Sequence, residues 1–593
     1  MNRSRSQRNW RLAPALVVAA TALLGRSVTL NAAANDPVPV LENAEIGNFT
    51  SGTQAARRFG VHEIVLTGDG SVGNPFDTVV TVKFTPPSGA SNVKTVWAFY
   101  DGENTWRARV YSSETGEWTW SSTCDTDAGL HGKSGTFPCA PSRLRGRLLI
   151  HPWNPRQWMT EDGRWFLNLN DTAYFWLCAY DSLGKPVADE DARDYVRDAF
   201  DHGITSLRSF LMVGPGGFKE SGRNLTDPWR DTYFADDAMN RFELAHFRTA
   251  DARLRWLLDE FPDVYQQIVL FPMGCHYAQD QVVWQTFSPQ QKERLMRYMI
   301  ARYAAYPQVF WLVVNDVHYG PKYPLNYAFA REVGEYFARH DPWRHPFSTG
   351  HARLVEFAFP EDDWVTYLHL EHKHDLSATQ AAKYAPYRKP VFLGEDRYEQ
   401  DHGTRLDPTH MAYWQRRLFW SWLLAGGSTN YGGRWWTVHP YCQTGNRPTF
   451  RPTKPDLPFT AALTGLDSVK PIRDYFEQRR IELSDFEPHD ALVKDAAGAV
   501  GVRAPKLMSR GEQEFLIYHP HAAEDDQHAR PLDSRVATVA IDLRNATGSF
   551  AVEWYRAADG VAQAGEPVSG GDWRELVAPW QGHDCVVRIL QSQ

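Results

Sequence analysis

The sequence predicts a multidomain protein in which a central (β/α)8 barrel, a TIM barrel, lies between an N-terminal and a C-terminal β-sandwich domain. At 593 residues the chain is too long for one ordinary domain. Short strand-like segments give way near residue 151 to alternating strands and helices, and strand-like segments return near residue 481. We therefore expect a signal peptide over residues 1–34, followed by domains over residues 38–150, 151–480 and 481–593.

The first residues have the pattern of a signal peptide. Four arginines lie among the first eleven residues, an apolar stretch follows over residues 12–24, and AAA at residues 32–34 supplies a cleavage site. The apolar stretch is shorter than the roughly 20 residues that a membrane-spanning helix requires. We therefore predict a secreted or periplasmic protein without a membrane span, whose mature chain begins close to Asn35.

Composition and charge narrow the class of partner. The net charge is −8 and the charged residues are spread along the chain, which argues against nucleic acid as a partner. The chain contains 23 Trp, 25 Tyr and 31 Phe. So many aromatic side chains serve either large cores or stacking against the apolar faces of sugar rings, and composition alone leaves both interpretations open.

The N-terminal segments are rich in β-forming residues. The stretches 63–66, 79–82 and 93–97 are separated by Gly, Asn, Asp and Pro turns, which is typical of a β-sandwich. Cys124 and Cys139 flank a hairpin-like stretch and could form a disulfide in an exported protein. The other four cysteines show no metal-binding spacing, so we expect buried thiols or isolated pairs.

In the central region, apolar strand candidates alternate with helix-like segments. The clearest helix is predicted over residues 288–306, where Ser288 can cap the first turn and Pro289 suits its start. A doubly wound open sheet is the alternative, but it usually has a glycine-rich turn after its first strand, and NDTAYFWL at that position has no glycine. The eight predicted strands cover residues 165–170, 204–210, 267–272, 309–315, 346–350, 364–370, 390–395 and 427–431.

The C-terminal region again contains strand-like segments and predicts a second β-sandwich. These segments cover residues 514–518, 536–543, 550–555 and 585–590. No group of catalytic residue types lies among them, so we expect this domain to support the barrel structurally and to have no activity of its own. Trp554, Trp573 and Trp580 are candidates for sugar binding, although core packing is the simpler explanation for most of them.

Polar side chains follow most of the predicted barrel strands, at the rim where barrel enzymes place their active groups. Asp316 follows the fourth strand and Glu395 ends the seventh. Polarity ordinarily resumes where strands end, but that would not favour carboxylates at the fourth and seventh strands in particular. The other candidates at this rim, for contacts with substrate, are Asn315, Asp171, Arg208, His276, His351, His369, Tyr431 and Trp435.

Two carboxyl groups on roughly opposite sides of a barrel match the needs of glycosidic-bond hydrolysis. One carboxylic acid protonates the leaving oxygen, and one carboxylate attacks the sugar or activates water. The chain between Asp316 and Glu395 is long enough for the elements that separate strands four and seven. A structural salt bridge could explain either residue alone, but it explains the pair less well.

The sequence around both carboxylates resembles a known family. WLVVNDVHYG and KPVFLGEDRYE are similar to the fourth- and seventh-strand motifs of the large clan of retaining glycoside hydrolases with (β/α)8 barrels. EDGRWFLNLNDTAYFWL, RYAAYPQVFWLVVND and LAGGSTNYGGRWW resemble its apiosidase-like branch, over residues 155–440. WAFYDGENTWRARVYSSETGEWTW is similar to the sandwich domain often placed before such barrels. The C-terminal region resembles the small collagen-binding-type β domain that commonly follows them.

The resemblance implies a role for each carboxylate. Glu395 would be the nucleophile and Asp316 the general acid/base of a retaining enzyme, and Asn315 would bind the 2-hydroxyl of the sugar. The wider clan usually has Glu where this chain has Asp316, whereas Asp is expected there in the apiosidase-like branch. Because an Asp side chain is one methylene shorter, backbone geometry must bring its carboxyl closer to the substrate.

The run HLEHKH at residues 369–374 could suggest a metal site, because alternation would place His372 and His374 on one side of a continuing strand. No second cluster with metal spacing accompanies it, so we predict neither a metal nor a cofactor. The expected partner is a polysaccharide or oligosaccharide substrate of plant or algal origin, and the oligomeric state is left open. A carbohydrate-binding protein with an inactive barrel and a polysaccharide lyase are the alternatives.

Overall fold

The structure is a computed structural model that describes residues 47–179, 186–211, 233–271, 284–321, 323–351, 356–396, 408–432, 464–522 and 534–592. All of these residues lie in one compact unit, Ile46–Gln593. The predicted signal peptide lies outside the described residues. Among the described helices, none is long and apolar enough to cross a membrane.

The N-terminal residues form a β-rich domain, as the sequence predicts. Its strands are β1 (Phe49–Ser51), β2 (Ala56–Arg57), β3 (Val61–Thr67), β4 (Val80–Thr85), β5 (Lys94–Tyr100), β6 (Thr105–Tyr111), β7 (Gly116–Cys124) and β8 (Ser134–Ala140). They pair in the order β1-β3-β6-β5-β4-β7-β8-β2. β5 pairs with β4 along most of its length and with β6 at its end, so it joins the two halves of the sheet. The sheet is barrel-like, because its edge strands β1 and β2 contact each other.

The disulfide that Cys124 and Cys139 could form is absent from the structure. Both thiols are free and buried, as are Cys178 and Cys585. Cys139 pairs with Gly116 at the start of β7, whereas Cys124 is the last residue of that strand. At about 3.4 Å per strand residue, the two cysteines lie roughly 25 Å apart along β7, and a disulfide requires Cα atoms within about 7 Å.

Three short antiparallel strands precede the barrel and close its lower end. They are β9 (Leu148–Ile150), β10 (Trp158–Thr160) and β11 (Trp165–Phe166). The barrel's first strand was expected to begin at residue 165, but Trp165 and Phe166 pair with β10 instead. The apolar side chains of this small sheet form one cluster with aromatic residues near the amino ends of the barrel strands: Leu148, Trp158, Phe166, Tyr265, Phe310, Tyr367 and Phe392.

The central barrel consists of parallel strands that overlap the predicted ones, although the first begins at Leu169 rather than at residue 165. They are β12 (Leu169–Thr172), β13 (Ser206–Phe210), β14 (Tyr265–Phe271), β15 (Val309–Val314), β16 (Phe347–Ser348), β17 (Leu368–Glu371), β18 (Val391–Glu395) and β19 (Ser428–Tyr431). β19 pairs with both β12 and β18, which closes the sheet on that side. No ladder joins β16 to β17 among the described residues, but the Thr366 amide donates to the Phe347 carbonyl at 2.9 Å there. The barrel is therefore nearly closed.

Helices pack around the barrel strands and follow them in the chain. The α-helices are α1 (Asp189–Asp201), α2 (Leu244–Glu260), α3 (Pro289–Tyr303), α4 (Pro324–His340), α5 (Thr379–Tyr384), α6 (Pro408–Leu424), α7 (Thr464–Asp467) and α8 (Val469–Arg479). The helix predicted from Ser288 is confirmed: Ser288 and Gln291 form a reciprocal capping box, and Pro289 is the first helical residue. Short 3-10 helices cover Pro75–Asp77, Ala90–Asn92, Ala385–Tyr387, Leu483–Asp485, Asp490–Leu492 and Gly501–Arg503.

A buried network of ion pairs joins the N-terminal domain to the barrel helices. Arg109 on β6 contacts Glu63 on β3 at 2.8 Å and Asp251 on α2 at 2.7 Å. Asp251 also contacts Arg302 on α3 at 2.6 Å, and Arg302 reaches Asp101 of the N-terminal domain at 3.1 Å. Since every charge in this network has a close partner of opposite sign, the network fixes the N-terminal domain against α2 and α3.

The C-terminal residues form two antiparallel sheets that share one core. The strands are β20 (Glu487–Pro488), β21 (Val493–Asp495), β22 (Lys506–Arg510), β23 (Glu514–His519), β24 (Val536–Asp542), β25 (Ser549–Arg556), β26 (Ala562–Ser569), β27 (Trp573–Gln581) and β28 (Cys585–Gln591). β21, β24 and β27 form the smaller sheet, and their apolar side chains pack against those of the larger sheet. Trp554 is buried in this core, so packing explains it, whereas Trp573 and Trp580 are partly exposed.

The C-terminal domain contacts helices at the end of the barrel through buried polar groups. Asp584 accepts two hydrogen bonds of 2.8 Å from Arg416 on α6, and a third of 3.0 Å from Tyr518. The Tyr518 ring stacks on Trp420 of α6, with ring centroids 6.0 Å apart. These contacts are the ones expected of a domain that supports the barrel.

Candidate active site

The carboxyl ends of the barrel strands bring charged side chains together inside the barrel. Arg208 on β13 reaches Glu371 on β17 and Glu395 on β18, although neither strand is its neighbour in the sheet. All three side chains are almost completely buried. A contact between strands that are not adjacent has to cross the barrel interior, so these residues face inward at the rim where barrel enzymes bind substrate.

A bulge in β18 turns Glu395 toward the interior. The register between β17 and β18 shifts, so that Glu371 pairs with Glu395 and Gly394 is left over. Because alternate strand residues face opposite sides, one extra residue inverts the alternation and places Glu395 on the same face as Glu371. The bulge requires glycine, since a Cβ at residue 394 would lie 1.9 Å from Cε1 of His369.

Each carboxylate oxygen of Glu395 faces a nitrogen of a basic side chain. Nη1 of Arg208 lies 2.7 Å from Oε2, and Nε2 of His372 lies 3.0 Å from Oε1. The backbone of His372 adds a further link, because its amide donates to the Glu395 carbonyl at 2.7 Å. The side chain of Glu395 is therefore fixed in position, and neighbouring positive charge favours its ionised form.

His372 is charged at neutral pH. Burial lowers the pKa of the imidazole, but the Glu395 carboxylate, with Asp316 and Glu371 nearby, opposes it, and the pKa of His372 is raised to about 9. Its backbone has a φ of 49°, in the left-handed region, so the strand ends at Glu371 and the ring turns toward Glu395. His372 thus joins Arg208 as a cationic partner of this carboxylate.

Glu371 is held by hydrogen bonds to both of its oxygens. Oε1 accepts from Nη2 of Arg208 at 3.0 Å and lies 3.1 Å from Nε2 of His369. Oε2 accepts a hydrogen bond of 2.7 Å from the backbone amide of Asp316. Burial raises the pKa of Glu371 to about 8, because Arg208 offsets burial only in part and the nearby Glu395 and Asp316 charges raise it further.

Asp316 and Asn315 follow directly after β15. Asp316 is buried and has a φ of 51°, a left-handed conformation that is uncommon for residues other than glycine. The adjacent Asn315 is also buried, and among the described residues its side-chain oxygen has no hydrogen-bond partner. A buried acceptor without a partner is costly unless a ligand satisfies it, so Asn315 is suited to bind a hydroxyl group.

A column of polar side chains supports Glu371 from below. Gln267 donates to the Tyr367 hydroxyl at 2.7 Å and lies 3.2 Å from Nδ1 of His369. Burial, with Arg208 adding to it, lowers the pKa of His369 well below its ordinary value, so the ring is neutral. The contacts fit one tautomer, in which Nδ1 accepts from Gln267 and Nε2 donates to Glu371.

The other predicted site residues lie apart from this group or outside the described residues. Asp171 accepts a hydrogen bond from Tyr195 of α1, so it faces the helices, and Tyr431 pairs with it in register and shares that face. His351 is buried beside Phe357, and burial, with Lys373 nearby, lowers its pKa to about 3. His276 and Trp435 lie outside the described residues.

His372 and His374, the two histidines that follow β17, contact carboxyl groups at the barrel rim. The strand does not continue past Glu371, and His372 and His374 have φ values of 49° and 50°. His374 contacts Asp396 at 2.5 Å, while His372 contacts Glu395. Among the described residues, no group of three or more such side chains is placed to hold a metal ion.

Sequence reasoning missed the roles of Glu371 and His372. Glu371 lies two residues after His369, so strand alternation alone places both side chains on the inward face. That signal was available from the sequence. The contact between His372 and Glu395 was not, because it depends on the left-handed turn that ends β17.

Comparison with protein families identifies the barrel. Residues 154–448 match the family described as apiosidase-like, catalytic domain. The chain therefore contains an apiosidase-like catalytic domain and is a glycoside hydrolase. Residues 55–125 match a domain of unknown function, DUF5060, which lies ahead of the apiosidase-like domain. Both Asp316 and Glu395 fall within the apiosidase-like domain.

Solved structures share the fold of the apiosidase-like domain and its neighbours. A protein from Bacteroides vulgatus ATCC 8482 that is assigned as a glycoside hydrolase covers 92% of this chain and 100% of its own, with 18% identity and a TM-score of 0.66. A glycoside hydrolase of family 5 from the same organism covers 75% and 93%, with 14% identity and a TM-score of 0.54. A third structure, described as a glycoside hydrolase, covers 76% and 97%, with 15% identity and a TM-score of 0.53. Among curated proteins, no sequence matches this chain.

Proposed function

We propose that this apiosidase-like protein is a secreted or periplasmic retaining glycoside hydrolase that acts on plant or algal polysaccharide. Glu395 is the nucleophile and Asp316 the general acid/base. One observation carries the assignment: Glu395 is turned into the barrel by the bulge at Gly394 and held between Arg208 and His372. A carboxylate that is fixed, ionised and aimed into the substrate rim has the properties of a nucleophile.

In the first step, an oxygen of Glu395 forms a bond to the anomeric carbon as the bond from that carbon to the leaving oxygen breaks. The carboxyl of Asp316 gives its proton to the leaving oxygen. In the second step, water gives a proton to Asp316 and bonds to the anomeric carbon, and the bond to Glu395 breaks. The two displacements together retain the configuration of the sugar.

The charges around Glu395 support both steps. Arg208 and His372 stabilise the carboxylate before attack and again when it leaves. Between the steps Glu395 is esterified and uncharged, which removes a negative charge from the neighbourhood of Asp316. The charge on Glu395 favours the protonated form of Asp316, which acts as an acid in the first step, and loss of that charge lets Asp316 act as a base in the second.

The proposed sugar contact is Asn315. Its buried side-chain oxygen has no partner among the described residues, so it can accept a hydrogen bond from the 2-hydroxyl of a sugar whose anomeric carbon faces Glu395. A hydrogen bond to that hydroxyl strengthens as the transition state forms. The class of polysaccharide is proposed from the family resemblance, and it is tested by a screen of plant and algal glycans.

The test of function is a screen of purified protein against those glycans, with variants as controls. Glu395→Gln should lose turnover on every substrate. Asp316→Ala should lose about 10²–10⁴-fold on the natural glycan and much less on an activated aryl glycoside, whose leaving group needs little protonation. Azide should rescue Asp316→Ala and give a glycosyl azide of retained configuration.

Two outcomes of this screen would contradict the proposal. Full activity of Glu395→Gln would remove the nucleophile assignment, and an unsaturated product that absorbs near-ultraviolet light would identify a lyase instead. Glu361→Gln, a change of the same type at an exposed site, should leave activity unchanged.

Export is proposed from the N-terminal pattern and has a separate test. Mass spectrometry of the protein recovered outside the cytoplasm should give a chain that begins close to Asn35. Retention of Met1 in that fraction would contradict export through a cleaved signal peptide.

A further inference from the structure

The conformation of Asp316 is strained, and this strain bears on how the proposed acid/base is placed. Its φ of 51° lies in the left-handed region, where the Cβ atom crowds the backbone of every residue except glycine. Strained backbone of this kind persists only where surrounding contacts hold it. The contact that holds Asp316 is therefore part of the site.

The backbone amide of Asp316 donates to Oε2 of Glu371 at 2.7 Å. Glu371 is fully buried and cannot move aside, because its other oxygen accepts from Arg208 at 3.0 Å and lies 3.1 Å from the donor nitrogen of His369. An acceptor that is itself held by two neighbours fixes the position of the backbone amide that donates to it.

Glutamate is the side chain that satisfies all three donors. A carboxylate accepts at both oxygens, whereas a glutamine accepts at one and donates at the other. Glutamine at position 371 would therefore direct an NH2 group either at the Asp316 amide or at Arg208 and His369. Burying a carboxyl beside Asp316 and Glu395 is electrostatically unfavourable, so its presence calls for a function that a neutral side chain does not fulfil.

We infer that Glu371 is a positioning residue whose carboxyl group holds the left-handed turn at Asp316 and thereby places the shorter aspartate side chain for proton transfer. The inference rests on the proposed role of Asp316. It explains how an aspartate serves at this position: the left-handed backbone rotates the Cα–Cβ bond, and this compensates for the methylene that the aspartate lacks. Glu371 itself needs no contact with the substrate.

The test compares leaving groups in the full-length protein. Glu371→Gln should lower kcat/KM by about 100-fold on a substrate that needs a proton at its leaving oxygen, such as a glycoside of an alkyl alcohol. With the dinitrophenyl glycoside of the same sugar, which needs little protonation, the loss should be less than about tenfold. A residue with a merely structural role would lower both rates equally.

A double substitution tests whether Glu371 acts through Asp316. In an Asp316→Ala background, Glu371→Gln should cause no further loss on the dinitrophenyl glycoside, because a residue that acts through Asp316 has nothing left to position. Glu361→Gln, the same change at an exposed site, is the matched control and should lower neither rate.

The outcomes separate the two proposals. If Asp316→Ala shows no dependence on the leaving group, the acid/base assignment itself is wrong, and the role of Glu371 falls with it. A second outcome is that Asp316→Ala shows that dependence while Glu371→Gln lowers kcat/KM by the same factor in the wild type and in the Asp316→Ala background. In that case only the inference on Glu371 is wrong. Should Glu371→Gln fail to fold, Glu371→Asp keeps the carboxyl group but not its reach, and the same dependence on the leaving group is expected.

Discussion

At the residue scale, His372 is the partner of Glu395 whose charge changes within an accessible pH range. Arg208 stays charged throughout, whereas the pKa of His372 is raised from 6.5 to about 9. A group with a raised folded-state pKa stabilises the folded protein fully below its unfolded pKa, and this stabilisation is lost as the pH rises through the folded pKa.

We therefore predict that the His372–Glu395 pair loses its effect on stability between pH 6.5 and about pH 9. The free energy of unfolding of the wild type, minus that of His372→Gln, should be largest below pH 6.5 and fall by about 3 kcal/mol across this range. Chemical denaturation of both proteins at several pH values measures this difference.

His374→Gln is the matched control, because His374 contacts Asp396 rather than Glu395. The change with pH for His372→Gln is compared with that for His374→Gln over the same range. A difference for His372→Gln that is constant with pH would mean that His372 is not charged in the folded protein.

The positions of single residues were predictable where they depend on the end of a strand alone. Asp316 lies just after β15 and Glu395 ends β18, as the apolar fourth and seventh strands indicate. Asp171 was placed at the rim by the same reasoning, but alternation along β12 turns it toward Tyr195 and the helices. A sequence shows that a strand ends, but not which face its last residue occupies when a bulge or a shift of boundary intervenes.

At the element scale, the bulge in β18 depends on Gly394. A Cβ at this position would lie 1.9 Å from Cε1 and 2.5 Å from Nδ1 of His369. We predict that Gly394→Ala displaces the His369 ring, weakens its contact with Glu371 and destabilises the protein by about 1–3 kcal/mol. Activity should fall as well, because the bulge sets the pairing of Glu371 with Glu395.

Thermal or chemical denaturation measures the effect of Gly394→Ala. Gly73→Ala is the control, because no atom lies within 4 Å of a Cβ built there. If Gly394→Ala were as stable and as active as the wild type, the bulge would not fix the orientation of Glu395.

Strands and helices were predictable from their hydrophobic pattern. The errors occur where the same sequence pattern is compatible with two different strand pairings. Residues 165–170 form one apolar run, but Trp165–Phe166 pairs with the small sheet and Leu169 begins the barrel. Cys124 and Cys139 flank a hairpin-like stretch, but the register of β7 with β8 places them at opposite ends of β7. Register is set by pairing between strands, which a single sequence does not encode locally.

At the scale of the whole molecule, the C-terminal domain is tied to the barrel by the Arg416–Asp584 pair. Asp584 is fully buried, and removing it would leave the Arg416 guanidinium buried without its carboxylate. We predict that Asp584→Ala destabilises the protein by about 3–5 kcal/mol. Asp572→Ala, at an exposed carboxylate, should change stability by less than about 0.5 kcal/mol.

Calorimetry of the full chain tests this coupling. Asp584→Ala should lower the melting temperature of the barrel together with that of the C-terminal domain, since Tyr518 and Trp420 stack across the same contact. A separate, unshifted barrel transition would show that the barrel does not need this domain. Measurable hydrolysis by residues 481–593 produced alone would contradict the prediction that this region has no activity of its own.

The most direct test of the central claim is covalent trapping of the proposed nucleophile. The protein is incubated with the 2-deoxy-2-fluoro analogue of the sugar that the glycan screen identifies, carried on a dinitrophenyl leaving group. A retaining enzyme should gain the mass of one glycosyl unit, and peptide mapping should place that mass on Glu395, with no adduct in Glu395→Gln. An active wild-type enzyme that gives no adduct, or an adduct on another residue, would contradict the account.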